Sequence, residues 1–113
     1  MTKDIVVDYD NTIILHNGSN VVDEGEPNVR LIQELNRLHD NGYRILIFTS
    51  RGHLSAASRV DAEIKYRAKI EKVLADYGLK YDLLSFNKPY ACIYIDDSAI
   101  RQDEIEKLRE ICK

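Results

Sequence analysis

Residues 4–12 read Asp4-Ile5-Val6-Val7-Asp8-Tyr9-Asp10-Asn11-Thr12: three β-branched apolar residues, then two aspartates two positions apart. An uninterrupted apolar run of this length predicts a strand buried on both faces, the habit of a parallel sheet covered by helices. Asp8 then stands where the strand ends. The same design recurs at Ile45-Leu46-Ile47-Phe48, which ends at Thr49-Ser50-Arg51-Gly52, and at Cys92-Ile93-Tyr94-Ile95, which ends at Asp96-Asp97. Tyr81 to Leu84 is a weaker strand signal.

The segments between these runs have other periods. From Ile13 to Val22, two apolar stretches flank Asn17-Gly18, a dipeptide suited to a tight hairpin turn, so a small β-flap is predicted there. Pro27 suits a first helical position, and Val29, Ile32, Leu35 and Leu38 follow at helical spacing up to a left-handed stop at Gly42. Ser58 and Asp61 make a capping pair for a longer helix that carries Val60, Ile64, Ile70, Leu74 and Tyr77 to Gly78. Ile105, Leu108 and Ile111 mark a terminal helix. Strands alternating with helices predict an α/β fold of three-layer, Rossmann-like type with a mostly parallel sheet. Its ligand crevice belongs at the C-terminal edge of the strands.

A length of 113 residues is the common size of one core, so residues 1–113 are expected to form a single domain. Hydrophobic residues at 44% and charged residues at 31% are ordinary globular usage, which argues against a disordered chain. A net charge of -3 with scattered Lys and Arg disfavours nucleic acid as a partner. The apolar runs are one strand long, far short of the roughly 20 residues of a membrane span, and the charged N-terminus leads into no signal-peptide core. Cys92 and Cys112 lack CxxC spacing and read as reduced thiols. A cytoplasmic protein is expected.

The polar residues just beyond the apolar runs are Asp8, Asp10, Thr49, Lys88, Asp96 and Asp97. Four carboxylates gathered in one crevice repel one another and call for a cation, and hard oxygen ligands suit magnesium. Magnesium held by few protein carboxylates keeps room for substrate phosphate oxygens, so a phosphorylated ligand follows.

At these residues the chain resembles the haloacid dehalogenase superfamily. Asp8-Tyr9-Asp10-Asn11-Thr12 is similar to its first motif, Thr49 to the second, Lys88 to the third and Asp96-Asp97 to the fourth, in order. Asn11 stands where many members have Gly, and Asn also tolerates unusual backbone angles. Residues 47–52 and 88–100 resemble small phosphatases associated with capsular polysaccharide synthesis. The resemblance implies a magnesium-dependent phosphomonoester hydrolase in which Asp8 attacks phosphorus to form an aspartyl phosphate. It assigns Asp10 the proton for the leaving oxygen and later the activation of water. Thr49 would bond a phosphoryl oxygen and Lys88 would offset charge. Asp8, the backbone carbonyl of Asp10, Asp96 and Asp97 would hold the metal, Asp97 directly or through water. A small phosphorylated sugar or polyol is the implied substrate, with a phosphoprotein as its rival.

Spacings of 39 positions from Asp10 to Thr49 and 39 from Thr49 to Lys88 leave no room for a cap domain. The flap or a second copy of the chain would then exclude water, which makes homo-oligomerisation a hypothesis. Arg51 and His53, just past Thr49, are in position to face the leaving group.

Plainer readings exist for each residue. A lone DxD often lies in a solvated turn, Thr49 alone would cap a strand end, Lys88 alone would be a loop cation, and Asp96-Asp97 could cap the last helix. His16 and His39 read as surface residues. A phospho-accepting receiver domain uses similar residues, but its acidic pair follows the first strand, whereas here the Asp-Asp pair comes last. No GxxxxGK[ST] segment supports a P-loop.

Overall fold

The computed structural model describes residues 3–16, 25–52 and 58–112. Along these the chain forms β1 (Asp4–Val7), β2 (Ile14–Leu15), β3 (Glu26–Pro27), α1 (Val29–Asp40), β4 (Arg44–Phe48), α2 (Arg59–Asp76), β5 (Leu83–Ser85) and α3 (Ile105–Ile111). Strands β1, β4 and β5 pair in that order, parallel throughout, with Val7 opposite Ile47 and Ile47 opposite Leu84. The protein is therefore a small α/β fold compatible with Rossmann-like architecture. Among the described residues no helix is long and apolar enough to cross a membrane.

Side chains alternate across a strand, so the register decides which residues reach the core. Val7, Ile45, Ile47 and Leu84 share one face and are buried with Leu31, Leu35 and Leu38 of α1. The opposite face carries the row Val6, Leu46 and Leu83, of which Val6 is 64% and Leu83 45% exposed. Burial on both faces was expected; one face is partly open instead. Helix α2 turns Ala62, Ile70, Val73 and Leu74 into the same core as α1 and leaves Val60 and Ile64 in solvent.

The helix signals mostly act as the sequence suggests. Gly42 and Gly78 follow α1 and α2 with φ of 92° and 70°, and the Ser58 hydroxyl accepts from the Asp61 N–H at 3.1 Å. Pro27 is a correction, because it pairs with Ile14 at the end of β3 and Asn28 becomes the N-cap, its side chain accepting from the Leu31 N–H. The Asn17-Gly18 turn lies outside the described residues. The ribbon arm opposite Ile14–Leu15 is Glu26–Pro27, beyond the predicted end of the flap at Val22.

The larger correction concerns Cys92 to Ile95, which is not a strand. Ile93 is 68% and Ile95 93% exposed, although β1 stands at one edge of the sheet. An apolar run becomes a strand only when its backbone groups find a ladder partner, and among the described residues this one has none.

Candidate active site

The first two aspartates are set by a tight turn after β1. The Tyr9 carbonyl accepts from the N–H groups of Thr12, Ile13 and Ile14 at 3.3, 3.0 and 3.2 Å, while the Tyr9 ring is fully buried. Such winding needs one residue in the left-handed region. Asn11 supplies it at φ 57°, and its side-chain oxygen accepts from the His16 N–H at 3.2 Å. Asp8 and Asp10 are thereby held close enough for the charge of Asp10 to disfavour ionisation of Asp8.

Asp8 Oδ1 accepts from the Tyr9 N–H at 2.8 Å, and Oδ2 lies 3.1 Å from Lys88 Nζ. Burial pushes the Asp8 pKa up, the Lys88 ammonium opposes that, and the net shift is upward. Lys88 also lies 4.4 Å from the centre of the Tyr94 ring, a cation–π contact. Thr49 follows β4 at the same sheet edge and is fully buried, its N–H donating to the Ser85 carbonyl at 2.9 Å. The Thr49 Oγ1 accepts from the Arg51 N–H at 3.0 Å.

Sequence reasoning missed the surroundings of Asp10. Arg51 forks onto both its oxygens, with Nε 3.1 Å from Oδ2 and Nη2 bonded to Oδ1, and His16 Nε2 lies 2.6 Å from Oδ1. His16 is 4% exposed, so its assignment to the surface is corrected. The signal that could have found it is its place directly after the apolar pair Ile14–Leu15 in a turn that curls back on β1. Arg51 is fixed from behind by Tyr66, whose ring centre is 5.9 Å from the guanidinium carbon. Gly52 at φ 83° lets the turn pack there, since a Cβ would fall 2.7 Å from the Tyr66 ring and 2.9 Å from the Ala62 Cβ. His53 lies outside the described residues.

Asp8, Asp10, Thr49 and Lys88 are thus brought to one edge; Asp96 and Asp97 are not. Both lie in an exposed stretch, where Asp96 Oδ1 accepts from the Ser98 N–H at 2.7 Å and Asp97 Oδ1 from the Ser98 hydroxyl at 3.2 Å. Neither caps α3, whose N-cap is Glu104. Among the described residues no three His, Cys, Asp or Glu side chains gather as a metal site would require. The two carboxylates nearest the strand end are paired with cations, Asp8 with Lys88 and Asp10 with Arg51.

No family model and no curated protein matches the chain. Among solved structures, the crystal structure of a target protein from Vibrio cholerae is 24% identical and superposes with a TM-score of 0.82 over 98% of this chain and 96% of that one. The likeness establishes a shared fold.

Proposed function

We propose that the protein is a phosphomonoester hydrolase of the haloacid dehalogenase type that works through an aspartyl phosphate on Asp8. The observation that carries this is the pairing of a half-buried aspartate with a lysine 3.1 Å away, beside a second aspartate and a buried threonine hydroxyl at one sheet edge. A carboxylate oxygen of Asp8 forms the bond to phosphorus as the ester oxygen leaves, and Asp10 supplies the proton that oxygen needs. Water then attacks the acyl phosphate, with Asp10 taking its proton. Lys88 and Thr49 offset charge on the transferring group. The proposed substrate is a small sugar or polyol phosphate, which suits a site with no cap domain.

Magnesium is proposed as the added cation, held by Asp8 and Asp10 together with Asp96 and Asp97. Its binding needs Asp96 and Asp97 carried to Asp8. The solvent-exposed Ile93-Tyr94-Ile95 run and the β1 edge supply the driving force, since pairing would remove apolar surface from water. Hydrogen exchange with and without magnesium tests the movement; unchanged exchange rates over residues 92–97 would dismiss it.

The activity is tested by phosphate release with magnesium across phosphosugars, polyol phosphates, nucleotides and phosphopeptides, with Asp8→Asn as control. Release by wild type alone is the expected result. A phosphorylated Asp8 that persists without turnover favours the receiver reading, and no release from any ester abolishes the hydrolase reading.

A further inference from the structure

We infer that Arg51 is an anion-binding residue whose fork is occupied by Asp10 until a phosphoryl group displaces it, so that ligand binding and release of Asp10 are one event. The inference rests on the hydrolase reading for its ligand class, but its test reads binding and requires no turnover.

Three features separate Arg51 from an ordinary surface ion pair. Its side chain is only 14% exposed, so the guanidinium is held in place instead of being tethered by a mobile stem. Its backbone is tied to Thr49 Oγ1, and the following glycine is pressed against Tyr66 and Ala62, so residues 49–52 hold it from both sides. It also engages Asp10 through two parallel donors, Nε and Nη2, a geometry that suits two oxygens of a phosphate as well as those of a carboxylate.

Asp10 is the weaker claimant for this fork. Its side chain is 26% exposed, so water can take over its oxygens when Arg51 leaves, and His16 Nε2 at 2.6 Å keeps it in position. A phosphoryl dianion brings more charge than a carboxylate and meets Lys88 as well as Arg51. The exchange moves N–H donors from carboxylate to phosphoryl oxygens and breaks no covalent bond. Its consequence is functional: Arg51 and His16 fill Oδ1 of Asp10 and Arg51 takes one of the two sites on Oδ2, and displacement by the ligand frees sites on both oxygens for a substrate's leaving oxygen. Arg51 would thereby make proton delivery conditional on a filled site.

The test is binding of inorganic phosphate, followed by calorimetry and by phosphorus NMR at fixed ionic strength, on wild type, Arg51→Gln, Arg51→Lys, Asp10→Asn and the double variant Asp10→Asn with Arg51→Gln. Loss of the fork in Arg51→Gln should weaken phosphate by about tenfold or more, with Arg51→Lys between the two because it keeps charge without bidentate geometry. Removing the competitor in Asp10→Asn should tighten phosphate by roughly fivefold or more, and the double variant should lose that gain. A residue that only braces the loop would not produce the gain. Arg51→Gln binding within twofold of wild type, no gain in Asp10→Asn, or a gain that survives in the double variant each overturns the inference. If Arg51→Gln does not fold, Arg51→Lys and the double variant Asp10→Asn with Arg51→Lys take its place, and a gain undiminished in that double variant overturns the inference. Phosphate bound through Arg51 without hydrolysis of any ester would keep this inference and remove the hydrolase reading; hydrolysis with Arg51-independent binding would do the reverse.

Discussion

Replacing Lys88 with Met isolates what holds the ionised form of Asp8 in a half-buried site. At 3.1 Å the two unit charges attract by roughly 5 kcal/mol at an effective dielectric of about 20 and by about 1.3 kcal/mol in bulk water. Side-chain exposures of 21% for Lys88 and 31% for Asp8 place the pair between these limits, so a coupling of about 2 kcal/mol is expected. Burial already shifts the Asp8 pKa upward against Lys88, so removing the ammonium raises it further. A carboxyl with a raised folded pKa contributes its stability below its unfolded pKa and loses it as pH rises through the folded value. The deficit of Lys88→Met relative to wild type should therefore be full at pH 7 and shrink as the solution is acidified through the raised Asp8 value. The assay is urea denaturation of wild type, Lys88→Met, Asp8→Asn and the double variant at several pH values, with the cycle read at each. A coupling under about 0.5 kcal/mol at pH 7, or a deficit independent of pH, would show that the close pair has no energetic role and refute the reasoning.

Asp8→Asn should abolish phosphate release, by about 10³-fold or more, while leaving urea stability equal to or above wild type, because a carboxylate that burial disfavours has been removed. Glu34→Gln should cost about 1–3 kcal/mol at pH 7, since the buried Glu34 carboxylate receives Arg37 Nε at 2.9 Å and Arg109 Nε at 3.2 Å from α3. Arg37 foremost holds that carboxyl below its ordinary pKa, so its stabilisation is present at neutral pH and lost as pH falls through the depressed value; the acid limb of a pH–stability curve should be shallower in Glu34→Gln. Gly52→Ala should destabilise by about 1–3 kcal/mol through its left-handed φ and the clash with Tyr66, and should weaken phosphate binding measured by calorimetry because Arg51 is moved.

What could be read without coordinates was local. The apolar run Ile5-Val6-Val7, the hydroxyl of Ser58 three residues before an acidic side chain, and the glycines after α1 and α2 each act on their own few neighbours, so strands, caps and stops fall close to where the chain places them. The same holds for Asp8, Asp10 and Thr49, which need only a strand to end where its apolar residues end. Lys88 was placed by motif order alone, and its contact with Asp8 crosses 80 positions of sequence.

Partners across long sequence separations were decided by the tertiary structure. Arg51 meets Asp10 because β1 and β4 lie side by side in parallel, and His16 is buried because the turn at Asn11 folds it back onto the same carboxylate. Ile93-Tyr94-Ile95 is apolar enough for a strand yet stays in solvent, and the Val6 face of the sheet stays partly open. A run of apolar residues specifies that surface should leave water, through an effect that has no direction; which surface covers it depends on hydrogen-bond ladders and register that no single segment contains.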